Sequence, residues 1–175
     1  MNVLVAYASP HGSTRGIAER IADRLRRRGV DVAVASVEKV DDPAAYDAFV
    51  IGSAIHDQRW MPEARAFVER HRDALAGRPV WLFSVSSVGD EESFFGKRVA
   101  AMMRRARGDL PDVASAQAAT SARGHRHVAG AIERSHYSLA GHLFMKAMGG
   151  RYGDHRNWPA IDAWAEEIAK SLGGQ

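Results

Sequence analysis

The segment Ser9-Pro10-His11-Gly12-Ser13-Thr14 places three hydroxyls, an imidazole and a glycine between a short apolar run and an amphipathic one. A helix that starts there presents unpaired backbone N–H groups and the positive end of its dipole, which stabilises a phosphate without a lysine or a metal. Gly12 allows close backbone approach. Ser9, Ser13 and Thr14 add hydroxyl donors, which suit the three oxygens of a terminal phosphomonoester better than a bridged pyrophosphate. His11 adds a ring N–H that becomes charge-assisted when the imidazole is protonated beside a dianion. The glycine fingerprint of dinucleotide sites and the Walker Gly-Lys-Ser/Thr ending are both absent, so a mononucleotide is the expected ligand. The same residues also suit a bare helix start, with Ser9 or Ser13 as cap and Gly12 in the turn.

Two further segments carry ligand-binding chemistry. Ser53-Ala54-Ile55-His56-Asp57-Gln58-Arg59-Trp60 begins with small residues that admit a flat ring and ends on an aromatic, Trp60, which suits ring stacking or packing on the next helix face. Ser86-Ser87-Val88-Gly89-Asp90 offers hydroxyls and backbone donors to a polar ring edge, and the same residue types favour a solvated turn. Arg59 and Arg156 are candidate contacts for an acidic substrate, with Arg123, Arg126 and Arg151 also in the C-terminal third. The chain has no cysteine, which excludes disulfides, thiolate metal sites and thiol nucleophiles, so redox chemistry must come from a bound cofactor. The histidines follow no metal-ligand spacing, and no resident metal is expected.

The elements that must position these residues alternate between strand and helix. Val3–Tyr7 reads as a strand buried on both faces. Ile17, Ala18, Ile21, Ala22 and Leu25 form one face of a helix that Gly29 closes. Strands are expected at Asp31–Ala35, Asp47–Gly52, Val80–Val85 and His127–Ile132. Trp60 to Leu75 traces a helical face, and Phe95, Val99, Met102 and Met103 trace a weaker one. Asn157 caps a last helix with Trp158, Ile161, Trp164, Ala165, Ile168 and Leu172 on its apolar side, and Gly173-Gly174 stops it. The alternation implies an α/β domain, a doubly wound parallel sheet of five strands with helices on both faces. At 175 residues and 46% hydrophobic, the chain suits a single such domain. An extra segment at about 135–153, with its apolar piece Leu139–Met148, reads as a packed accessory helix or a membrane-surface contact. It is too short to span a bilayer.

Ser9, Gly12 and Thr14 stand in register with the flavodoxin phosphate loop, usually Ser/Thr-x-Thr-Gly-x-Thr, and the segment resembles it with His11 in place of a threonine. The run Met148-Gly149-Gly150-Arg151-Tyr152-Gly153-Asp154-His155-Arg156-Asn157-Trp158 resembles menaquinone-dependent protoporphyrinogen oxidases and related flavodoxin-domain proteins, as do Ile51–Ile55 and Met61–Arg65. The resemblance covers nearly the whole chain. It implies a flavodoxin-like sheet in the order 2-1-3-4-5 and FMN as cofactor. The phosphate would lie on Ser9, His11, Gly12, Ser13 and Thr14. The ring would lie between Ser53, Ala54, Ile55, His56 and Trp60 on one side and Ser86, Ser87, Val88 and Gly89 on the other. The aromatic that commonly stacks on the ring in the second of these loops is missing, with Phe94 or Phe95 as a substitute. The implied reaction removes hydride equivalents from a porphyrinogen and passes them to a quinone, with no catalytic side chain.

Other readings separate on charge and motif. Flavodoxin electron carriers are typically acidic, whereas this chain carries a formal net charge of +3. A flavodoxin fold that has lost FMN and serves as an interaction module is the main rival, supported by Pro10 and His11. Receiver domains need acidic residues where Ser9-Pro10-His11 and Ser53-Ala54-Ile55 stand, and the Gly-x-Ser-x-Gly hydrolase elbow is absent. The basic runs Arg24–Arg28 and Arg104–Arg107 read as solvated helix ends rather than a nucleic-acid site. The N-terminus lacks a signal pattern, so a cytoplasmic location is expected, with peripheral contact at the inner membrane face. The partner would be a porphyrinogen, a quinone or a redox protein. Oligomeric state is not legible in the residues.

Overall fold

The computed structural model describes residues 1–106, 110–136 and 138–173; Arg107 and Gly174 lie outside the described residues. The main sheet contains β1 (Asn2–Ala8), β2 (Asp31–Ser36), β3 (Ala48–His56), β5 (Val80–Ser86) and β6 (Gly124–Ala129). They run parallel in the order β2-β1-β3-β5-β6, which is the expected 2-1-3-4-5 arrangement. A short β4 (Arg59–Trp60) folds back antiparallel on β3.

Helices cover both faces because the central strands are apolar on both. Val3, Val5, Val50 and Phe83 point to one side, where α1 (Ser13–Arg27) and α7 (Trp158–Gly173) close over them with Ile17, Ile21, Leu25, Trp164 and Ile168. Leu4, Phe49, Ile51 and Leu82 point to the other, under α2 (Pro62–Arg70), α3 (Arg72–Leu75) and α5 (Pro111–Thr120). The two outer helices on the first side are tied by the Asp162 carboxylate, which accepts from Arg20 at 2.6 and 2.7 Å and from Arg24. The Arg20 hydrogen bond holds the Asp162 carboxyl below the usual carboxylate range, against the opposing effect of burial.

The expected helix boundaries hold at the caps. Gly29 sits at φ +80° and closes α1, its N–H donating to the Arg26 carbonyl at 2.9 Å while Val30 N–H reaches Leu25 at 3.2 Å. The Asn157 side chain accepts from Ala160 N–H at 3.1 Å at the start of α7. Three expectations are corrected. The run from Trp60 to Leu75 is not one helix, because Pro62 fixes its first turn and the chain breaks at His71, leaving Trp60 in β4. The last strand is Gly124–Ala129 rather than His127–Ile132, since β6 is an edge strand whose Gly-His-Arg-His start lacks an apolar signature. Met102, expected on the apolar side of α4 (Lys97–Ala106), is 58% exposed.

Beyond β6 the chain turns at Gly130 into β7 (Ala131–Ile132), which pairs with β8 (Gly153–Asp154). Between them lies α6 (Leu139–Ala147), an accessory helix seated through Met145 in a third small cluster with Val88, Phe94, Phe95 and Ile132.

Gly52 has no room for a side chain, because a Cβ there would lie 2.0 Å from the Phe83 ring on β5. Gly52→Ala must therefore displace a fully buried aromatic, an overpacking cost of about 2 kcal/mol. Thermal unfolding is expected to show a midpoint lowered by roughly 4–8 °C. An unchanged midpoint would mean that Phe83 does not pack as described.

Candidate functional site

The loops after β1, β3 and β5 leave the sheet at its carboxyl edge, where the connection out of β1 reverses the strand order, and open sheets bind ligands at such a point. Together with the segment after β6 they enclose a cleft of about 580 Å³.

The first loop leaves several polar groups available at the cleft. Gly12 precedes α1 at φ +80° and no side chain caps the helix. Its carbonyl takes the N–H of Gly16 at 3.0 Å, so the N–H groups of Ser13, Thr14 and Arg15 have no carbonyl four residues back. Neither Ser9 nor Ser13 caps the helix. Ser13 Oγ instead accepts from the N–H of Ala131 at 2.8 Å, which leaves its hydroxyl hydrogen to be donated elsewhere. Ser9 Oγ is buried and has no hydrogen-bond partner, a costly state for a polar atom. Ser9, His11, Ser13 and Thr14 all line the cleft, with Thr14 buried, and Gly12 forms the turn between them.

The second loop is a tight hairpin. Ile55 pairs with Trp60 and His56 with Arg59, so Asp57 and Gln58 make the two-residue turn, at φ 48° and 60°. Such a left-handed turn favours asparagine and glycine, and non-glycine residues in both positions store strain on the rim of the cleft. Ala54, Ile55 and His56 line the cleft as expected. Ser53 does not: it is fully buried, its Oγ donating to Ala54 O at 2.8 Å and accepting from Met61 N–H at 2.9 Å. Trp60 is corrected as a ring-stacking candidate. It is 1% exposed and its Nε1–H donates to Ser84 Oγ at 2.8 Å, because the β3–β4 pairing turns the indole into the core.

In the third loop Ser86, Ser87 and Val88 line the cleft. Ser86 Oγ donates to Val88 O at 3.0 Å and accepts from Val88 N–H at 3.2 Å, a self-closed turn. Gly89 stands behind it, since a Cβ there would lie 2.3 Å from Ala129 N. The loop clamps onto β6 through Asp90 N–H to His127 O at 2.9 Å and His127 N–H to Asp90 Oδ2 at 3.0 Å.

The two arginines singled out as substrate contacts are not brought into the cleft. Arg59 donates from Nε and Nη2 to Asp112 at 3.0 and 2.8 Å. Arg156 is held by Asp154 at 2.8 and 2.7 Å, over the Trp158 ring at 4.4 Å. Each arginine hydrogen bond holds its carboxyl partner, Asp112 or Asp154, below the ordinary range. Among the described residues no Lys or Arg lines the cleft, so a bound phosphate must rely on backbone N–H groups, hydroxyls and His11.

Phe94, offered as a substitute for the missing stacking aromatic, lines the wall and packs against His155 at 5.1 Å between ring centroids, mostly enclosed. Further lining residues lie outside the segments singled out in the sequence. His127, Gly130, Ala131 and Ile132 come from the end of β6 and beyond it. The signal for them was positional, since any residue just past a parallel strand reaches this edge, but the misplaced end of the last strand concealed it. Gly130 is required there: a Cβ would lie 2.8 Å from Ser13 Oγ and 3.0 Å from Val85 Cγ1.

A family model described as a flavodoxin domain matches residues 4–156. Protoporphyrinogen IX dehydrogenase (quinone) of Escherichia coli K12 is 31% identical over 90 residues, which are 50% of this chain and 50% of that protein. The chain thus spans about half the length of the curated relatives it matches. Among solved structures, a flavodoxin of Streptococcus pneumoniae TIGR4 superposes with a TM-score of 0.61 at 19% identity, over 98% of this chain and 99% of that one. The rubredoxin oxygen:oxidoreductase of Desulfovibrio gigas superposes with a TM-score of 0.62 at 14% identity, over 99% of this chain and 36% of that one. At these identities the structural likeness concerns the fold alone.

Proposed function

The chain belongs to the flavodoxin domain family, and from that premise we propose that its cleft holds FMN and that the protein is an FMN-dependent oxidoreductase. The observation that carries this reading is the uncapped start of α1: a buried Ser9 hydroxyl without a partner, Gly12 in the left-handed region, and a Ser13 hydroxyl with its hydrogen left to donate. Those groups match the donors a phosphomonoester dianion requires.

In this reading Ser9, Ser13, Thr14 and the first N–H groups of α1 hold the phosphate, and His11 adds an imidazole donor. Ala54, Ile55 and His56 on one rim, and Ser86, Ser87 and Val88 on the other, flank the ring system. FMN, when bound, supplies hydride and electron transfer. The chain contributes binding, orientation and exclusion of water, and Phe94, Met103 and Leu110 give the far wall of the cleft an apolar surface.

For the reaction itself, we take the partial similarity to a protoporphyrinogen dehydrogenase that uses quinone as support for porphyrinogen oxidation coupled to quinone reduction. FMN-loaded protein, reduced anaerobically, should be reoxidised by a water-soluble menaquinone analogue, and the oxidised protein should bleach on mixing with protoporphyrinogen. A protein that binds FMN but shows neither reoxidation by the quinone nor bleaching by protoporphyrinogen would lose the oxidase assignment and be left as an electron carrier.

A further inference from the structure

Four ionisable side chains line the cleft among the described residues: His11, His56, Asp57 and His127. Three of them stand at its mouth. His11 is exposed in the phosphate loop, and His56 and Asp57 are 79% and 90% exposed on the β3–β4 turn, 3.2 Å from each other. Of the four, His127 is the one that is half-buried. It stands beside Ser84 in the β5–β6 register, on the face of the sheet that carries Leu82 and on which Leu110 packs. That places its imidazole at the apolar far wall, with Phe94, Met103 and Leu110.

The ring is positioned from behind. Trp60 Nε1–H donates to Ser84 Oγ at 2.8 Å, and Ser84 Oγ lies 2.9 Å from His125 Nε2. An indole can only donate, so the Ser84 hydrogen is left for Nε2, which holds the His125 ring in place. His127 packs edge-on against that ring, at 4.3 Å between centroids and 88° between planes. Its backbone N–H donates to the Asp90 carboxylate at 3.0 Å, so a negative charge lies next to the imidazole. The other charged groups around it are engaged elsewhere or face solvent. Arg104 of α4 donates to the Gly89 and Glu91 carbonyls at 2.8 and 2.9 Å, and Asp112 of α5 holds Arg59. Arg126 turns to the opposite face of the sheet and pairs with Glu167 at 3.3 Å, while Glu91 and Glu92 are exposed.

Oxidation of a porphyrinogen removes a hydride from carbon and a proton from nitrogen, and an apolar wall that keeps water away must offer that proton a base. We propose that His127 is this base. On the bound donor a C–H bond gives up its hydride to the flavin and an N–H bond breaks; the N–H electron pair enters the ring conjugation and the proton passes to a ring nitrogen of His127. When a quinone takes up the hydride, the imidazolium returns the proton to the quinone oxygen, a hydroquinone leaves and His127 is neutral again. The assignment rests on the oxidoreductase reading and adds to it a catalytic side chain, with His125 and Ser84 as its positioning residues.

The test takes wild type, His127→Gln and His127→Ala, each titrated with FMN and then mixed anaerobically with protoporphyrinogen between about pH 5.5 and 8.5. Wild-type bleaching should accelerate with pH through the range in which an imidazole loses its proton, and His127→Gln should be slower by about 100-fold or more, with a flat profile. Added imidazole should restore part of the rate to His127→Ala, which a merely structural role would not allow. A second readout needs no turnover: the imidazole C–H resonances that vanish in His127→Gln should shift when protoporphyrin, the oxidised product, is added to FMN-loaded wild type. FMN bound normally with the pH profile unchanged in His127→Gln, or His127 resonances that ignore the porphyrin, would overturn this assignment and leave the flavin reading intact. Wild type that binds FMN without being bleached would overturn it together with the oxidase assignment, and wild type that binds no FMN would overturn it together with the flavin reading.

Discussion

Ser13→Ala is expected to weaken FMN binding by roughly 10- to 100-fold while leaving the affinity for riboflavin, which lacks the phosphate, nearly unchanged. Ser13 Oγ accepts the Ala131 N–H at 2.8 Å, which orients the hydroxyl so that its one hydrogen is left for a ligand. A hydrogen bond to a charged acceptor contributes about 1.5–3 kcal/mol, which corresponds to that range of affinity. The substitution also removes the acceptor of Ala131 N–H at the corner where β6 gives way to β7, a part-buried group whose loss adds to the effect. Ser13→Thr keeps the hydroxyl and should retain most of the affinity. Fluorescence quenching during FMN titration measures all of these constants. A change smaller than about twofold for Ser13→Ala would show that the phosphate is held elsewhere.

Asp112→Ala is expected to cost about 2 kcal/mol of stability at neutral pH, with a midpoint lowered by roughly 4–8 °C. The buried carboxylate accepts three hydrogen bonds, two from Arg59 and one from the backbone N–H of Trp60 at 3.0 Å. Arg59 is 55% exposed, so water screens its ion pair, and the main loss is the buried Trp60 amide left without an acceptor. Asp112 also lies in the first turn of α5, where a negative charge complements the helix dipole. The sign of the pH dependence follows from the Arg59 hydrogen bond, which depresses the folded-state pKa of Asp112 below its unfolded value. The carboxylate therefore stabilises the fold fully above about pH 4, and that stabilisation is lost as pH falls through the depressed pKa. Urea unfolding at pH 7 and pH 3 should show the gap between wild type and variant narrowing at the lower pH. A gap that is constant or wider at pH 3 would contradict the role given to the carboxylate. The same variant frees the β3–β4 hairpin that carries Asp57 and Gln58, so weaker FMN binding should accompany the lost stability.

The strands buried on both faces were legible because their residues are almost all apolar: Val3–Tyr7, and Val80–Val85 apart from Ser84, have no polar side to confuse with a loop or an amphipathic helix. Helix ends were legible where a residue acts through its own chemistry, Gly29 through its positive φ and Asn157 through its side-chain oxygen. Legibility failed at the edge of the sheet. Gly124, His125 and Arg126 sit in β6 only because β5 supplies their hydrogen bonds, and no local pattern announces pairing with a strand forty residues away. Helix α5 failed for a related reason, as its Ala-Ser-Ala-Gln-Ala-Ala run makes only a faint apolar stripe.

The site shows the same division. Its phosphate loop is contiguous, and proximity in sequence is proximity in space, so Ser9 to Thr14 were found together. Trp60 stood open between ring stacking and packing because the antiparallel fold-back of β4, and with it the Ser84 acceptor for the indole, is set by tertiary pairing. Arg59 and Arg156 looked available because their carboxylate partners Asp112 and Asp154 became partners only through the fold or a local turn.

The most direct test of the central claim is the ratio of dissociation constants for FMN and riboflavin, measured by fluorescence titration of the purified chain at one pH and salt. The account predicts one FMN per chain at micromolar affinity or tighter, and riboflavin weaker by about 100-fold or more, because the phosphate meets Ser9, Ser13, Thr14 and the first amides of α1. Equal affinity for the two flavins, or no quenching of FMN, would contradict it.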